Sequence, residues 1–344
     1  MFFGTYPIPK GAEWADFLSV YSLAAAAGCT LANTYLGWDT LESAEDVYTF
    51  GDNIDLFVLL ADGEGLKVSS EITIISAGEM GGLPAYIGAV DFTNATLRTR
   101  FEALCQAYID NAGTTVDYIW IGNEIDQFLF DNPAQLADWT TLFTDCVAAI
   151  RATEPTVKVG TILTYHNAVK NGNRALIDTF GPLCDIIGVT YYPQVMPNGY
   201  VQDQVDTDIA HIVEDYGAYP LAMMETGTSA ATTATFGTAN QAEFCRALFA
   251  AMAHHEDSFE FFNWFNYHDF SDAYMDANFV AGDLKDWVGS IGLATNAGAA
   301  RPVLATWAEE VSNFGGLVAA QTADLANMGG LSGTSITIRQ EYGA

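Results

Sequence analysis

The chain has 344 residues, half of them hydrophobic, which is ample for a substantial core and too few for more than two or three ordinary domains. Twelve Lys and Arg oppose 43 Asp and Glu, a formal charge of −31. A field of that sign repels phosphate backbones and anionic membranes, so neither nucleic acid nor a membrane is expected as a partner.

Strand-like apolar runs and amphipathic stretches alternate along the whole chain. "FFGTYPI" (2–8) leads into a helical pattern over 14–27, and "TLANTYLGW" leads into "NIDLFVLLADGEG", whose apolar spacing of three and four is helical. "LKVSSEITII" precedes a helix near 97–111. "VDYIWIGNE" precedes a helix over 133–153, which Asp131-Asn132-Pro133 opens in the manner of a capped start. "VKVGTILTY" is followed by a short helix at 174–180, "CDIIGVTYYP" by one at 204–216, and "PLAMMETG" by one at 240–254. "FEFFNWFNY" is the last strong strand, and a helix over 302–313 closes the series.

Eight strand–helix units with mostly continuous apolar strands predict a (β/α)8 TIM barrel of the α/β class rather than a doubly wound sheet. The barrel is expected over 1–313, with a short C-terminal extension, 314–344, packing on it and holding one possible strand, "TSITIRQ". Cys29, Cys105, Cys146, Cys184 and Cys245 lie far apart with no CxxC spacing. That pattern fits neither a zinc site nor a dense disulfide scaffold, and is compatible with buried thiols or with one or two bridges. No apolar run reaches membrane-spanning length. The opening residues show no signal-peptide pattern, which leaves open whether one has been removed.

Active sites of such barrels gather at the C-terminal ends of the strands, so the polar residues that end the apolar runs are the ones to inspect. Glu124 ends the fourth run, with Asn123 beside it, and Glu225 ends the seventh. Tyr191 and Tyr192 end the sixth, His166 follows the fifth, Trp264 lies in the eighth, and Trp38 and Asp39 end the second. Carboxylates on strands four and seven face each other across a barrel mouth. A pair so placed suits glycoside hydrolysis, one protonating the leaving oxygen and the other attacking the anomeric carbon. Tyr and Trp suit the apolar C–H faces of sugar rings. Taken alone, Asn-Glu at a strand end could simply cap the next helix, and a Trp in a strand is usually core.

"GNE" (122–124) and "METG" (224–227) resemble the two signatures of the clan A glycoside hydrolases. "DIIGVTYYP" (185–193) is similar to the sixth-strand motif of the family 53 endo-β-1,4-galactanases, and "WDTLESAEDVYTFGDNID" to a stretch that follows strand two in several clan families. The resemblance spans roughly 2–313. One departure is that family 53 members usually carry arginine on strand two, where this chain has "LANTYLGWD".

The resemblance implies a retaining enzyme with Glu124 as acid/base, Glu225 as nucleophile and Asn123 on the sugar 2-hydroxyl. One tyrosine of Tyr191–Tyr192 orients Glu225, since alternation lets only one face inward. Trp264 is the expected floor under the sugar, and Trp38 and His166 are further subsite candidates. No metal and no cofactor is implied.

Other barrel chemistries fit less well. Lys67 and Lys158 fall at strand beginnings, the wrong end for a Schiff base, and no His-x-His occurs. The expected protein is a monomeric, extracellular or periplasmic β-glycosidase, endo-acting on a neutral polysaccharide: β-1,4-galactan first, β-mannan or β-glucan next. A carbohydrate-binding barrel without catalysis is the alternative.

Overall fold

The structure, a computed structural model, describes residues 1–88, 90–165, 172, 174–193, 202–231 and 237–328. Eight parallel strands close into a barrel: β1 (Phe2–Thr5), β2 (Leu31–Gly37), β3 (Lys67–Thr73), β4 (Tyr118–Ile121), β5 (Lys158–Thr164), β6 (Ile186–Tyr191), β7 (Leu221–Thr226) and β8 (Phe259–Trp264). Each pairs with its sequence neighbours and β8 returns to β1, so the (β/α)8 expectation holds. The outer ring is α1 (Trp14–Ala26), α2 (Leu56–Gly63), α3 (Ala95–Ala112), α4 (Leu136–Thr153), α5 (Arg174–Phe180), α6 (Gln202–Tyr216), α7 (Thr238–His254) and α8 (Pro302–Met328).

Two helix ends differ from expectation by three residues or more. The helix expected over 302–313 runs on to Met328, because nothing between 313 and 328 breaks it but two glycines. Asp131-Asn132-Pro133 does not cap α4: the Asn132 amide closes the preceding short helix on the Phe128 carbonyl (2.9 Å), and one 3-10 turn intervenes. "TSITIRQ" lies outside the described residues. All five cysteines are free thiols, four of them buried, and no described helix is long and apolar enough to cross a membrane.

The barrel interior is layered. Its lower part is apolar, built from Leu31, Tyr118, Trp120, Ile162, Ile186, Ala222, Met224 and Phe261. Trp120 dominates it and donates its indole N–H to Ser69 Oγ (2.8 Å). Two glycines make room for that indole: a Cβ at Gly160 would lie 2.1 Å from the Ile186 carbonyl and 2.8 Å from Trp120, and one at Gly188 3.0 Å from Trp120. Above this plug the inward residues turn polar, with Asn33 on β2, Glu71 on β3, Thr190 on β6 and Asn263 on β8. Strand alternation fixes that set.

Candidate active site

Glu124 follows β4 in the left-handed region, φ 50° and ψ 43°, after Gly122 at φ 79°. For a non-glycine residue this conformation costs about 1–3 kcal/mol and persists only where the surroundings impose it. Here the buried Asp126 imposes it, accepting from the Thr164 backbone N–H (2.8 Å) and hydroxyl (2.7 Å) and so tying the loop to β5. Glu124 stands at the N-cap position of the helix Ile125–Asp131 but makes no side-chain cap bond. Its carboxylate instead accepts from the Thr190 hydroxyl (2.7 Å) on β6 and from the Gln127 side-chain amide (3.0 Å). The capping explanation for Asn-Glu therefore fails.

Glu225 is aimed by a β-bulge. Met224 points into the apolar plug, so simple alternation would turn Glu225 out towards the helices. Between β6 and β7 the register runs Val189↔Met223 and then Thr190↔Glu225, skipping Met224. The extra residue shifts the phase and brings Glu225 to the inner face, the re-aiming that bulges perform beside active sites. There Glu225 Oε2 accepts from the Tyr192 hydroxyl (2.8 Å) and Oε1 from the Asn123 amide (3.2 Å). Thr190 is thus the register partner of Glu225 and the hydrogen-bond partner of Glu124, which brings the two carboxyls together.

Both carboxyls are held above the ordinary carboxylate range. For Glu124 burial is the main cause, followed by the charge of Glu225; the Thr190 bond opposes them. For Glu225 burial again leads, followed by the charge of Glu71, and the Tyr192 and Asn123 bonds pull it back down. Such a pair carries one proton between its members rather than none. Thr190 can accept as well as donate, so its contact survives when Glu124 holds that proton. The Asn123 amide only donates, which keeps Glu225 Oε1 an acceptor.

Asn123 and Tyr192 join Glu124 and Glu225 in one cluster. The other sequence candidates lie elsewhere. Tyr191 faces out of the barrel, fully buried, and bonds Asp208 of α6 (3.1 Å). Trp264 is also fully buried on the outer face, packed near Phe244 and Trp307 with its N–H on the Ile291 carbonyl (2.9 Å), so it is not a floor under the sugar. One residue of phase separates it from Asn263 and Phe265, which face in. Trp38 is core: its N–H bonds the buried Glu42 (2.6 Å), which also pairs with Arg100, and its ring packs edge-on against Phe101. His166 lies outside the described residues.

Several site residues went unnoticed in the sequence. Glu71 sits within β3, fully buried, and its Oε1 accepts from the Tyr6 hydroxyl and the Asn33 amide (2.6 Å). Alternation from Ser69 places it on the inner face, but it stands within an apolar run rather than at its end. An aromatic rim was also missed. Phe265 packs edge-on against Tyr6 (5.4 Å) and Tyr192 (6.2 Å), and Tyr192 against Trp287 (5.1 Å). Phe270 and Tyr274 stack outward from Phe265, and Tyr35, on the inward phase of β2, is 48% exposed.

The family model for Glycosyl hydrolase family 53 matches residues 93–253, just under half of the chain and including both Glu124 and Glu225. A search of curated protein sequences found no match. Among solved structures, the chain is similar to a variant of GH5_18 from Bifidobacterium longum subsp. longum ATCC 55813 in complex with Manb1-4GlcNAc. The TM-score is 0.74 at 15% identity, covering 91% of this chain and 78% of that one. It is also similar to the exo-beta-1,4-mannosidase Op5Man5 from Opitutaceae bacterium strain TAV5 (TM-score 0.69, 17% identity, 90% and 59% covered). A family 39 glycoside hydrolase from Bacteroides cellulosilyticus WH2 gives a TM-score of 0.64 at 15% identity, with 90% and 63% covered. At these identities the structural likeness speaks for the barrel alone.

With the family match and the carboxylate pair, the chain is a glycoside hydrolase of the clan A type. Within that clan its sequence resembles family 53.

Proposed function

We propose that the protein is a retaining β-glycoside hydrolase working by double displacement. One observation carries the reading: the bulge in β7 turns Glu225 into the mouth, onto Tyr192 and Asn123, beside a Glu124 held by Thr190. In this mechanism Glu225, ionised and steadied by two donors, attacks the anomeric carbon while Glu124 gives its proton to the departing oxygen. Glu124 then takes a proton from the water that releases the glycosyl-enzyme. Burial supplies what the acid needs, a proton retained well above the ordinary carboxylate range.

The proposed substrate is a neutral β-linked polysaccharide or oligosaccharide. Among the described residues no Lys or Arg pairs with the site carboxylates, which disfavours uronates and sulfates. The aromatic rim offers stacking faces beyond the reacting sugar and supports endo action. β-1,4-Galactan comes first by the family 53 likeness; β-mannan follows, a mannosidase and a structure holding Manb1-4GlcNAc being among the fold neighbours, and then β-glucan. A polymer of that kind is met outside the cytoplasm, so an extracellular or periplasmic monomer is proposed.

The test is a hydrolysis screen on galactan, mannan, glucans and xylan with product lengths read by chromatography. Glu225→Ala should lose essentially all turnover. Glu124→Ala should fail on natural glycosides yet still react in the first step with aryl glycosides bearing good leaving groups. Wild-type activity on a polysaccharide in either variant would sink the assignment. Saturable oligosaccharide binding with no turnover by the wild type would favour a binding barrel.

A further inference from the structure

A third carboxyl, Glu71, lies beside the proposed pair, and neither step of the reaction uses it. It is fully buried, and a negative charge on it would raise Glu225, as one on Glu124 would raise Glu71. Among the described residues none of the three carboxyls has a Lys or Arg partner, and no cluster of acidic and metal-ligating side chains is placed to hold a metal ion. Strand β2 supplies Asn33, a neutral donor, at this place. Three negative charges, those of the buried Glu71 and Glu225 and of the half-buried Glu124, cannot coexist at one barrel mouth with no cation.

Hydrogen bonding decides where the charge goes. Glu225 has a donor on each oxygen, Asn123 on Oε1 and Tyr192 on Oε2. Glu71 has both of its donors, the Tyr6 hydroxyl and the Asn33 amide, on Oε1, while its Oε2 is buried without a partner among the described residues. The Asn33 amide can only donate, so Oε1 must stay a lone-pair acceptor. A proton on this carboxyl therefore sits on Oε2, and an ionised Glu71 would leave that oxygen charged, buried and unbonded.

We propose that Glu71 is a positioning residue that stays a neutral acid in the working enzyme, with its proton on Oε2, so that Glu225 can ionise without a cationic partner. Its neutrality does by absence of charge what a neighbouring cation would do by attraction. The titratable groups around it are Tyr6 after β1, Glu124 after β4, Tyr192 after β6 and Glu225 on β7. Both tyrosines are held well above their ordinary range by burial first, and so stay neutral. As pH rises far enough to ionise Glu71, a second negative charge joins Glu225 and turnover falls.

The inference rests on the double-displacement reading, and two measurements on Glu71→Gln keep the failures apart. Glutamine is a neutral isostere that can accept through Oε1 and donate in place of the Oε2 proton. In the pH profile of kcat/KM, the variant should keep its acid limb where the wild type has it. Its alkaline limb should move to higher pH, and turnover should fall by less than about tenfold. An acid limb displaced downward by a unit or more would show that Glu71 was already charged while Glu225 titrated, and would overturn the proposal. So would loss of essentially all turnover in a folded variant.

The second measurement needs no substrate. A carboxyl whose folded-state pKa is raised binds a proton in the native state at pH values where the unfolded chain has lost it. Its burial therefore weakens the fold progressively as pH rises through that window. The thermal midpoint of Glu71→Gln should thus exceed that of the wild type by a margin that grows as pH rises from 4.5 through the raised range of this carboxyl. A margin that stays flat across this range would refute a proton-holding Glu71. Wild-type protein that hydrolyses no glycoside would instead overturn the functional reading and leave the midpoint series intact as a test.

Discussion

Replacing Tyr192 by phenylalanine isolates one contact of the proposed nucleophile. The ring stays between Phe265 and Trp287, and only the O–H that reaches Glu225 Oε2 at 2.8 Å is removed. Hydrogen bonds to charged groups are worth about 1.5–3 kcal/mol, and one pKa unit corresponds to 1.36 kcal/mol, so Glu225 should rise by about 1–2 units. The Asn123 bond goes to the other oxygen, Oε1, and does not replace the lost donor. The sign follows from the donor favouring the ionised form: without it the carboxyl holds its proton to higher pH, and fewer molecules are ready to attack at a given acidic pH. The acid limb of kcat/KM should therefore move up by about 1–2 pH units, with a smaller change on the alkaline side. The assay is a pH series on an aryl glycoside. An unmoved acid limb, or an activity loss spread evenly over all pH, would refute the placement of Tyr192 on the nucleophile.

Other substitutions separate the core from the cleft. Trp264→Ala removes an indole packed near Phe244 and Trp307, and should lower unfolding stability by about 3–5 kcal/mol in urea titration. Tyr35→Ala, at a half-exposed site on the rim, should leave stability within about 0.5 kcal/mol and raise KM for long oligosaccharides more than for aryl monosaccharides. A cleft role for Trp264 would reverse that contrast. Gly160→Ala pushes a methyl against the Ile186 carbonyl and Trp120, and should destabilise by about 3 kcal/mol, at the upper end of overpacking. A neutral result in thermal melts would mean that β5 shifts more freely than the packed interior allows.

The barrel, its strands and the two glutamates are legible in the chain because each depends on local pattern. An apolar run of four to eight residues reads as a buried strand, and "GNE" and "METG" stand where such runs end. Side-chain direction is another matter. Tyr191 and Tyr192 share the same surroundings in sequence, and only the phase of β6, fixed by Gly188 lying against Trp120, sends Tyr192 in and Tyr191 out to Asp208. The same one-residue difference puts Trp264 in the core and Phe265 in the mouth. Trp38 reads as a subsite aromatic until Glu42 and Arg100 are seen to hold it under the surface.

The sequence by itself determined the alternation of elements, the closed parallel sheet and the pair of carboxylates at the ends of strands four and seven. Tertiary structure alone decided that Glu225 reaches the mouth at all, because the bulge that turns it appears only when β7 is laid against β6 and β8. It also decided that Glu71 joins the pair, since a carboxylate in mid-strand becomes part of a site only when Tyr6, just after β1, and Asn33 of β2 close over it. Periodicity along the chain fixes which residues can share a face, but the stagger between neighbouring strands fixes which of them meet.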